Sequence, residues 1–339
     1  MKKLLTLLLT LILSVVSVVG LTACNEQTSS VMLVGLADGT AVTPAAEYDY
    51  FIVPEPAAST KVNATQGKLS FAGDLQALYG EGNGYPQAVI VAKNSVISSD
   101  GEVINALLNS FEQNKAWLVD ENTSAEVIVN AVKSGFVSSD MTPTFNAKNL
   151  TKGVINNCGI NFATASNSKT AVLNYLAKVN AVANNAFGTP ADEFFATSVG
   201  TANSGATLSL YCPDGAPALS VARLLNDNTI LSNIDINVVN AATIQTFVAG
   251  ENPTADICIL PVNAASKLLG TGAKYKMLGT VTNGNLYILK KQGAEDITKE
   301  NIKTVLNEKK VGVINLANVP GLTFKAILAD NGITFTEPA

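Results

Sequence analysis

Two stretches of the chain carry the same phrase: DICILPVNAASK (Asp256–Lys267) and DYFIVPEPAASTK (Asp49–Lys61). Each runs from an Asp through a short apolar segment to a Pro, then two variable residues, then Ala-Ala-Ser. A short apolar run that breaks at Pro and continues as a helix former reads as a buried strand turning into a helix. A second pair accompanies the first. CPDGAPALSVARLLNDN (Cys212–Asn228) aligns with NLANVPGLTFKAILADN (Asn315–Asn331), matching Pro217 to Pro320, Leu225 to Leu328 and Asp227-Asn228 to Asp330-Asn331. In one copy Pro217 precedes Pro261 by 44 residues. In the other, the later unit stands at the opposite end of the chain. Nineteen residues follow Pro320 and 24 run from Val31 to Pro54, 43 in all. Two independent phrases with one spacing imply two similar lobes, with the second copy cut and its pieces exchanged in order. Such a cut is tolerable because domain termini often lie close together at the surface.

Strand and helix patterns alternate along the rest of the chain. Helical periodicity covers Gly101–Trp117, Ser124–Ser134, Ser168–Ala183 and Ile297–Asn307, with Ser124 and Ser168 as expected N-caps. Ala242–Ala249 also reads as helix. Met277–Lys290 reads as two strands around Thr-Asn-Gly-Asn. Gly200–Ala206, small and polar, reads as a linker. The alternation predicts an α/β architecture with mainly parallel sheets.

Composition narrows the chemistry. The chain has 339 residues, a net charge of −5, 14% charged and 47% apolar residues, and no His. There is no basic field for nucleic acid. The commonest general base and the commonest zinc ligand are absent. Arg223 is the one guanidinium, placed well inside a helix pattern and so better suited to the surface than to clamping an anion. Cys158, Cys212 and Cys258 form no CxxC pair; Cys258 reads as a buried thiol, and a Cys212–Cys258 disulfide stays open.

The N-terminus reads as an address. MKK is followed by apolar Leu4–Val19 and then Leu21-Thr22-Ala23-Cys24, a secretory signal over residues 1–23 that ends like a lipobox. This resembles bacterial lipoprotein signals, which implies lipidation of Cys24, a tether over residues 24–30, and export to the outer face of the cytoplasmic membrane.

The phrases PDGAPALSVARLL (Pro213–Leu225), ADICILPVNAASKLL (Ala255–Leu269), YKMLGTVTNGNLYIL (Tyr275–Leu289), VGVINLANVPGLTFKAIL (Val311–Leu328), DYFIVPEPAAS (Asp49–Ser59) and GNGYPQAVIVAKNSVI (Gly82–Ile97) together resemble the substrate-binding lipoproteins of ABC importers. They are most similar to the type grouped with nitrate, sulfonate, taurine and thiamine-precursor binders. The order of the phrases departs from that family's, in agreement with the repeat spacing. The resemblance implies a type II periplasmic-binding-protein fold in which two lobes with mainly parallel sheets flank a cleft, here with circularly permuted segment order. One lobe would take residues 83–199 and 207–292, joined by the linker 200–206. The other would take 31–82 and 297–339. The crossings would fall near Tyr79–Tyr85 and Lys290–Ile297. It further implies a monomer that captures a small solute by lobe closure, delivers it to a membrane permease, uses no cofactor and has no catalytic role.

Ligands of open α/β sheets bind beyond strand carboxyl ends, against helix N-termini. Asp214, Gly215 and Ala216 occupy one such mouth; Asn318 and Val319 occupy its counterpart. Asp214 and Asn318 are equally good helix caps. Glu55 and Asn263 follow the two Pro-ended strands. Glu55 suits a cationic or N–H-bearing ligand, and equally a hydrogen bond between lobes; Asn263 could cap. Thr282, Asn283, Asn285, Tyr85 and Gln87 lie beside the proposed crossings, where Tyr85 could stack on a planar ligand or in the core. These groups favour a small polar or heteroaromatic solute, neutral or weakly cationic. Two rival readings remain: an enzyme on the same fold, resembling thiamine-pyrimidine synthases or a dehydratase, opposed by the missing His and GxSxG; and a surface receptor without transport role.

Overall fold

The computed structural model describes residues 29–80, 82 and 84–338. Cys24 and the expected signal and lipidation segment lie outside them. Twelve strands run in chain order: β1 (Ser30–Leu36), β2 (Tyr50–Pro54), β3 (Leu69–Asp74), β4 (Pro86–Lys93), β5 (Ile160–Thr164), β6 (Leu208–Pro213), β7 (Ile234–Val239), β8 (Ile257–Pro261), β9 (Tyr275–Asn283), β10 (Leu286–Lys291), β11 (Lys310–Ile314) and β12 (Thr334–Thr336). They form two six-stranded sheets, β12-β1-β11-β2-β10-β3 and β5-β9-β4-β8-β6-β7, with helices between the strands. Among the described residues no helix is long and apolar enough to cross a membrane.

The sheets repeat each other. Reading β7-β6-β8-β4-β9 against β1-β11-β2-β10-β3, the first three strands of each set are parallel and the last two join antiparallel. The opening phrases sit at matching places, β8 and β2, and their Asp does the same work twice. Asp256 pairs with Ser209 through Asp256 N→Ser209 O at 3.1 Å, and its Oδ2 accepts from Ser209 N at 3.0 Å. Asp49 pairs with Lys310 through Asp49 N→Lys310 O at 3.0 Å, and its Oδ2 accepts from Lys310 N at 3.2 Å. In each lobe the carboxylate satisfies a backbone donor at the start of the neighbouring strand, a group that would otherwise lack a partner at the sheet end.

The sheets are mixed, not mainly parallel. The strand that each lobe receives at a crossing runs against its neighbours. After β3 the short helix Leu75–Tyr79 leads out of the first sheet, and β4 enters the second between β8 and β9. After β9, residues Gly284 and Asn285 lead back, and β10 enters the first sheet between β2 and β3. The second crossing is therefore at Gly284-Asn285 instead of Lys290–Ile297, and residues 286–291 belong with β2 and β3. A two-residue connection between extended segments ordinarily closes a hairpin; here it separates two sheets. Gly284 is required by space. A Cβ there would lie 1.9 Å from the Tyr85 ring.

Each sheet has its own outer core. One face of the second sheet packs Ile90, Ile257 and Leu210 against the helices Gly101–Val119 and Ala125–Ser134. The outer face of the first packs Phe51, Val53 and Leu289. A third cluster lies on the remaining face of both sheets and joins the lobes, running from Leu33 and Ile52 through Val89 and Val91 to Phe324. There the helices Ala165–Val182 and Val319–Asp330 meet. The Tyr175 and Thr323 hydroxyls lie 2.8 Å apart, and Lys178 reaches Asp330 at 2.7 Å.

Ser124 caps its helix, accepting from Val127 N, but Thr164 and not Ser168 caps the next long one, accepting from Asn167 N. That helix begins one turn early, and the Ser168 hydroxyl bonds back to the Thr164 carbonyl. The expected helices at 242–249 and 297–307 shrink to a 3-10 turn at Ile244–Phe247 and a single turn at Ile302–Val305. In the latter the Asn301 carboxamide accepts from Thr298 N and donates to Asp296 O, a local alternative to helix bonds. Gly200–Ala206 has no regular structure and is tied to the helix beside it by Glu102 N→Ala202 O and Asn105 Nδ2→Gly200 O.

Candidate functional site

The two strand mouths expected to face a solute differ. Beyond β6, Gly215 has φ +104°, a conformation costly to other residues. The chain's own segment at 143–145 lies across this mouth. Asp214 Oδ2 accepts from Thr144 N at 2.7 Å, and Pro143 and Phe145 pack beside Leu219, Val129 and Val132 around a void of about 10 Å³. Asp214, Gly215 and Ala216 thus meet protein instead of an open cleft. A mouth whose next helix has only four residues leaves apolar surface that Phe145 covers. Beyond β11 the counterpart stays open: Asn318 is exposed, forms no side-chain cap, and Val319 is half-buried.

Glu55 is buried and resolves to the inter-lobe reading. Its Oε1 accepts from Asn157 Nδ2 at 2.8 Å, across the lobes, and from Ser59 Oγ at 2.7 Å; its Oε2 accepts from Ser59 N. Asn285 donates to the Glu55 carbonyl and accepts from Gln87 Nε2 at 3.0 Å, so these three residues brace the crossings. Tyr85 is fully buried and stacks on Tyr175, ring centres 5.4 Å apart, with Tyr79 edge-on. It is core, not a ligand platform. Thr282 is fully buried, and Asn263 is the second residue of the helix Val262–Leu269, which has Pro261 and not Asn263 at its N-cap; the Asn263 carbonyl accepts from Ser266 Oγ.

Asn283 is the one expected residue that lines the cavity at the crossings, about 260 Å³ in volume. Asp74, Gln76 and Tyr287 come to it from the first lobe. Lys115, Asn156, Asn157 and Asn161 come from the second. Asp74 ends β3 and caps the crossing helix, accepting from Gln76 N at 2.8 Å. Tyr287, on β10, donates to the Asn157 carbonyl at 3.2 Å. Burial holds the Asp74 carboxyl above its usual range, against the pull of the Gln76 and Ala77 backbone. Burial also raises the Tyr287 hydroxyl, with the Asp74 charge adding to it. The lining is rich in carboxamides, which donate and accept, with one carboxylate and one ammonium. Such a surface can hold polar groups through hydrogen bonds of either direction. Among the described residues no cluster of three or more His, Cys, Asp or Glu could hold a metal ion.

The missed residues left faint signals. Asp74 is an Asp closing a strand pattern, and NNCGIN (Asn156–Asn161) is an amide-rich turn before one. Only the crossing of the chain brings them together. The disulfide left open is excluded by geometry: Cys212 and Cys258 are free and point into the cores on opposite faces of the second sheet. Burial raises both thiols.

Comparison with family models, with curated proteins and with solved structures finds no match to this chain.

Proposed function

We propose that the chain is the solute-capturing lipoprotein of an ABC importer, built on a type II periplasmic-binding-protein fold with circularly permuted segment order. The observation that carries this reading is the paired sheets. Five strands share order and direction in both lobes, and each lobe lends the other one antiparallel strand through adjacent crossings. In the proposed unpermuted order, β11 would lead into β1 as β6 leads into β7. The pairing of β12 with β1 supports this, since it brings the two ends of the described chain side by side. The cavity at the crossings draws its lining from both lobes, as a site that closes on a solute requires. Lipidation at Cys24, export and delivery to a permease belong to the same proposal and rest on the N-terminal motif.

Native mass spectrometry of the protein purified gently from cells tests the reading. A stoichiometric extra mass lost on denaturation is the expected result. A clean apo mass from folded protein, together with no uptake defect in a deletion strain over a panel of small solutes, would sink it. One observation favours a second reading, a surface receptor without transport role: the apolar cluster continuous between the lobes resists wide opening. Small-angle scattering that does not change on solute binding would favour the receptor.

A further inference from the structure

We propose that the cavity at the crossings takes a solute presenting a cationic or N–H-rich nitrogen to Asp74, and that it discriminates against anions. This rests on the solute-binding reading and goes beyond it by naming the ligand's chemistry. The cavity holds about 260 Å³, enough for a small organic molecule. Its two formal charges are unequally placed. Lys115 stands on the solvent side of the helix Gly101–Val119, exposed, where water already solvates its ammonium. Asp74 is half-buried, at the end of β3 beneath the crossing helix.

A charge in the drier place dominates recognition, because Coulomb attraction there is less screened. Burial already disfavours the Asp74 anion. A ligand cation would relieve that cost, and a ligand anion would add to it. The remaining polar side chains, Gln76, Asn156, Asn157, Asn161, Asn283 and Tyr287, are neutral and serve either kind of hydrogen bond. Arg223 does not line the cavity; its guanidinium donates to Gln113 Oε1 at 2.9 Å. An anionic head group therefore meets no bidentate clamp here.

The test uses three probes with one skeleton: benzylamine, benzyl alcohol and benzoate, titrated calorimetrically into the protein as purified and into Asp74→Asn. Asn is a good helix cap, so the variant keeps the acceptor that holds Gln76 N and should fold. Benzylamine is expected to bind about tenfold more tightly than benzyl alcohol, the scale of one charge-assisted hydrogen bond, with benzoate weakest. In Asp74→Asn the amine preference should fall to within about twofold of the alcohol. Benzoate binding as tightly as benzylamine, an amine preference that survives Asp74→Asn, or no binding of any probe would each overturn the inference. An anionic solute co-purifying with the protein would overturn it too while leaving solute capture intact. Conversely, Asp74-dependent amine binding without any effect of gene deletion on uptake would uphold it and remove the transport reading.

Discussion

The mouths of β6 and β11 begin from one sequence phrase and end in opposite states. Pro217 and Pro320 both open helices, yet the first mouth is sealed by Thr144 and Phe145 and the second is exposed at Asn318. The helices behind the two turns make the difference. Beyond β11 a twelve-residue helix, Val319–Asp330, buries its own face against Ala165–Val182. Beyond β6 the helix is cut into two short pieces, Ala216–Leu219 and Ala222–Asn226, and a distant segment covers what they leave. A repeated phrase fixes a local turn; the length of the helix behind it decides whether the turn faces solvent.

Substitutions can break that comparison. Phe145→Ala should destabilise the protein by about 3–5 kcal/mol, the cost of emptying an aromatic core position, whereas Val319→Ala at the open mouth should cost about 1 kcal/mol. Urea denaturation of both variants measures the ratio; equal losses would mean that the segment at 143–145 does not seal the first mouth.

The two aspartates give the next contrast. Asp256 holds three donors, Ser209 N, Ser209 Oγ and Lys93 Nζ, each at 3.0 Å, while Asp49 holds Lys310 N at 3.2 Å with Lys309 at 4.0 Å. Asp256→Ala should therefore cost about 2–3 kcal/mol and Asp49→Ala about 1 kcal/mol. Burial alone would raise the Asp256 carboxyl, but the Ser209 and Lys93 bonds outweigh it and hold the group below its usual value. A lowered folded-state value means that its stabilisation is complete above about pH 4, the unfolded value, and is lost as pH falls through the lower folded one. Asp256→Asn should flatten the stability profile in that acid window, read from urea midpoints between about pH 5 and pH 2.

Smaller effects test the joint between the lobes. Tyr175→Phe removes the hydroxyl contact with Thr323 and should cost about 1 kcal/mol, with a double-mutant cycle against Thr323→Val to isolate the pair. Lys178→Ala breaks a partly exposed ion pair with Asp330 and should cost only about 0.5 kcal/mol. If it exceeds Tyr175→Phe, the ion pair outweighs the buried hydroxyl pair at this joint.

The sequence made the lobes legible because a buried strand ending at Pro before a helix is a local pattern, and its recurrence carries its own register. The strand runs around Pro54 and Pro261, the Ser124 cap and the buried Cys258 thiol are readable from near neighbours in the chain, whereas only the structure shows Cys212 and Cys258 unpaired. The candidate site was mostly not readable. Of the twelve expected residues Asn283 lines the cavity; Gln87, Asn285 and Tyr85 lie beside the crossings, where Gln87 and Asn285 brace them and Tyr85 packs in the core, and Glu55, expected as the end of a Pro-ended strand, joins the bracing through Asn157 and Asn285. Polar residues at strand ends look alike in sequence whether they meet a solute or another lobe.

What the sequence determined by itself is the α/β alternation, the twofold phrase and the Asp that opens it, because each depends on neighbours within a few residues and on one paired strand. Tertiary structure alone decided that β4 and β10 trade sheets, that the segment at 143–145 fills one mouth, and that Asp74, Asn157 and Tyr287 share a cavity. Those outcomes depend on which surfaces two lobes bury against each other, and apolar burial is non-directional, so no local pattern encodes its partner.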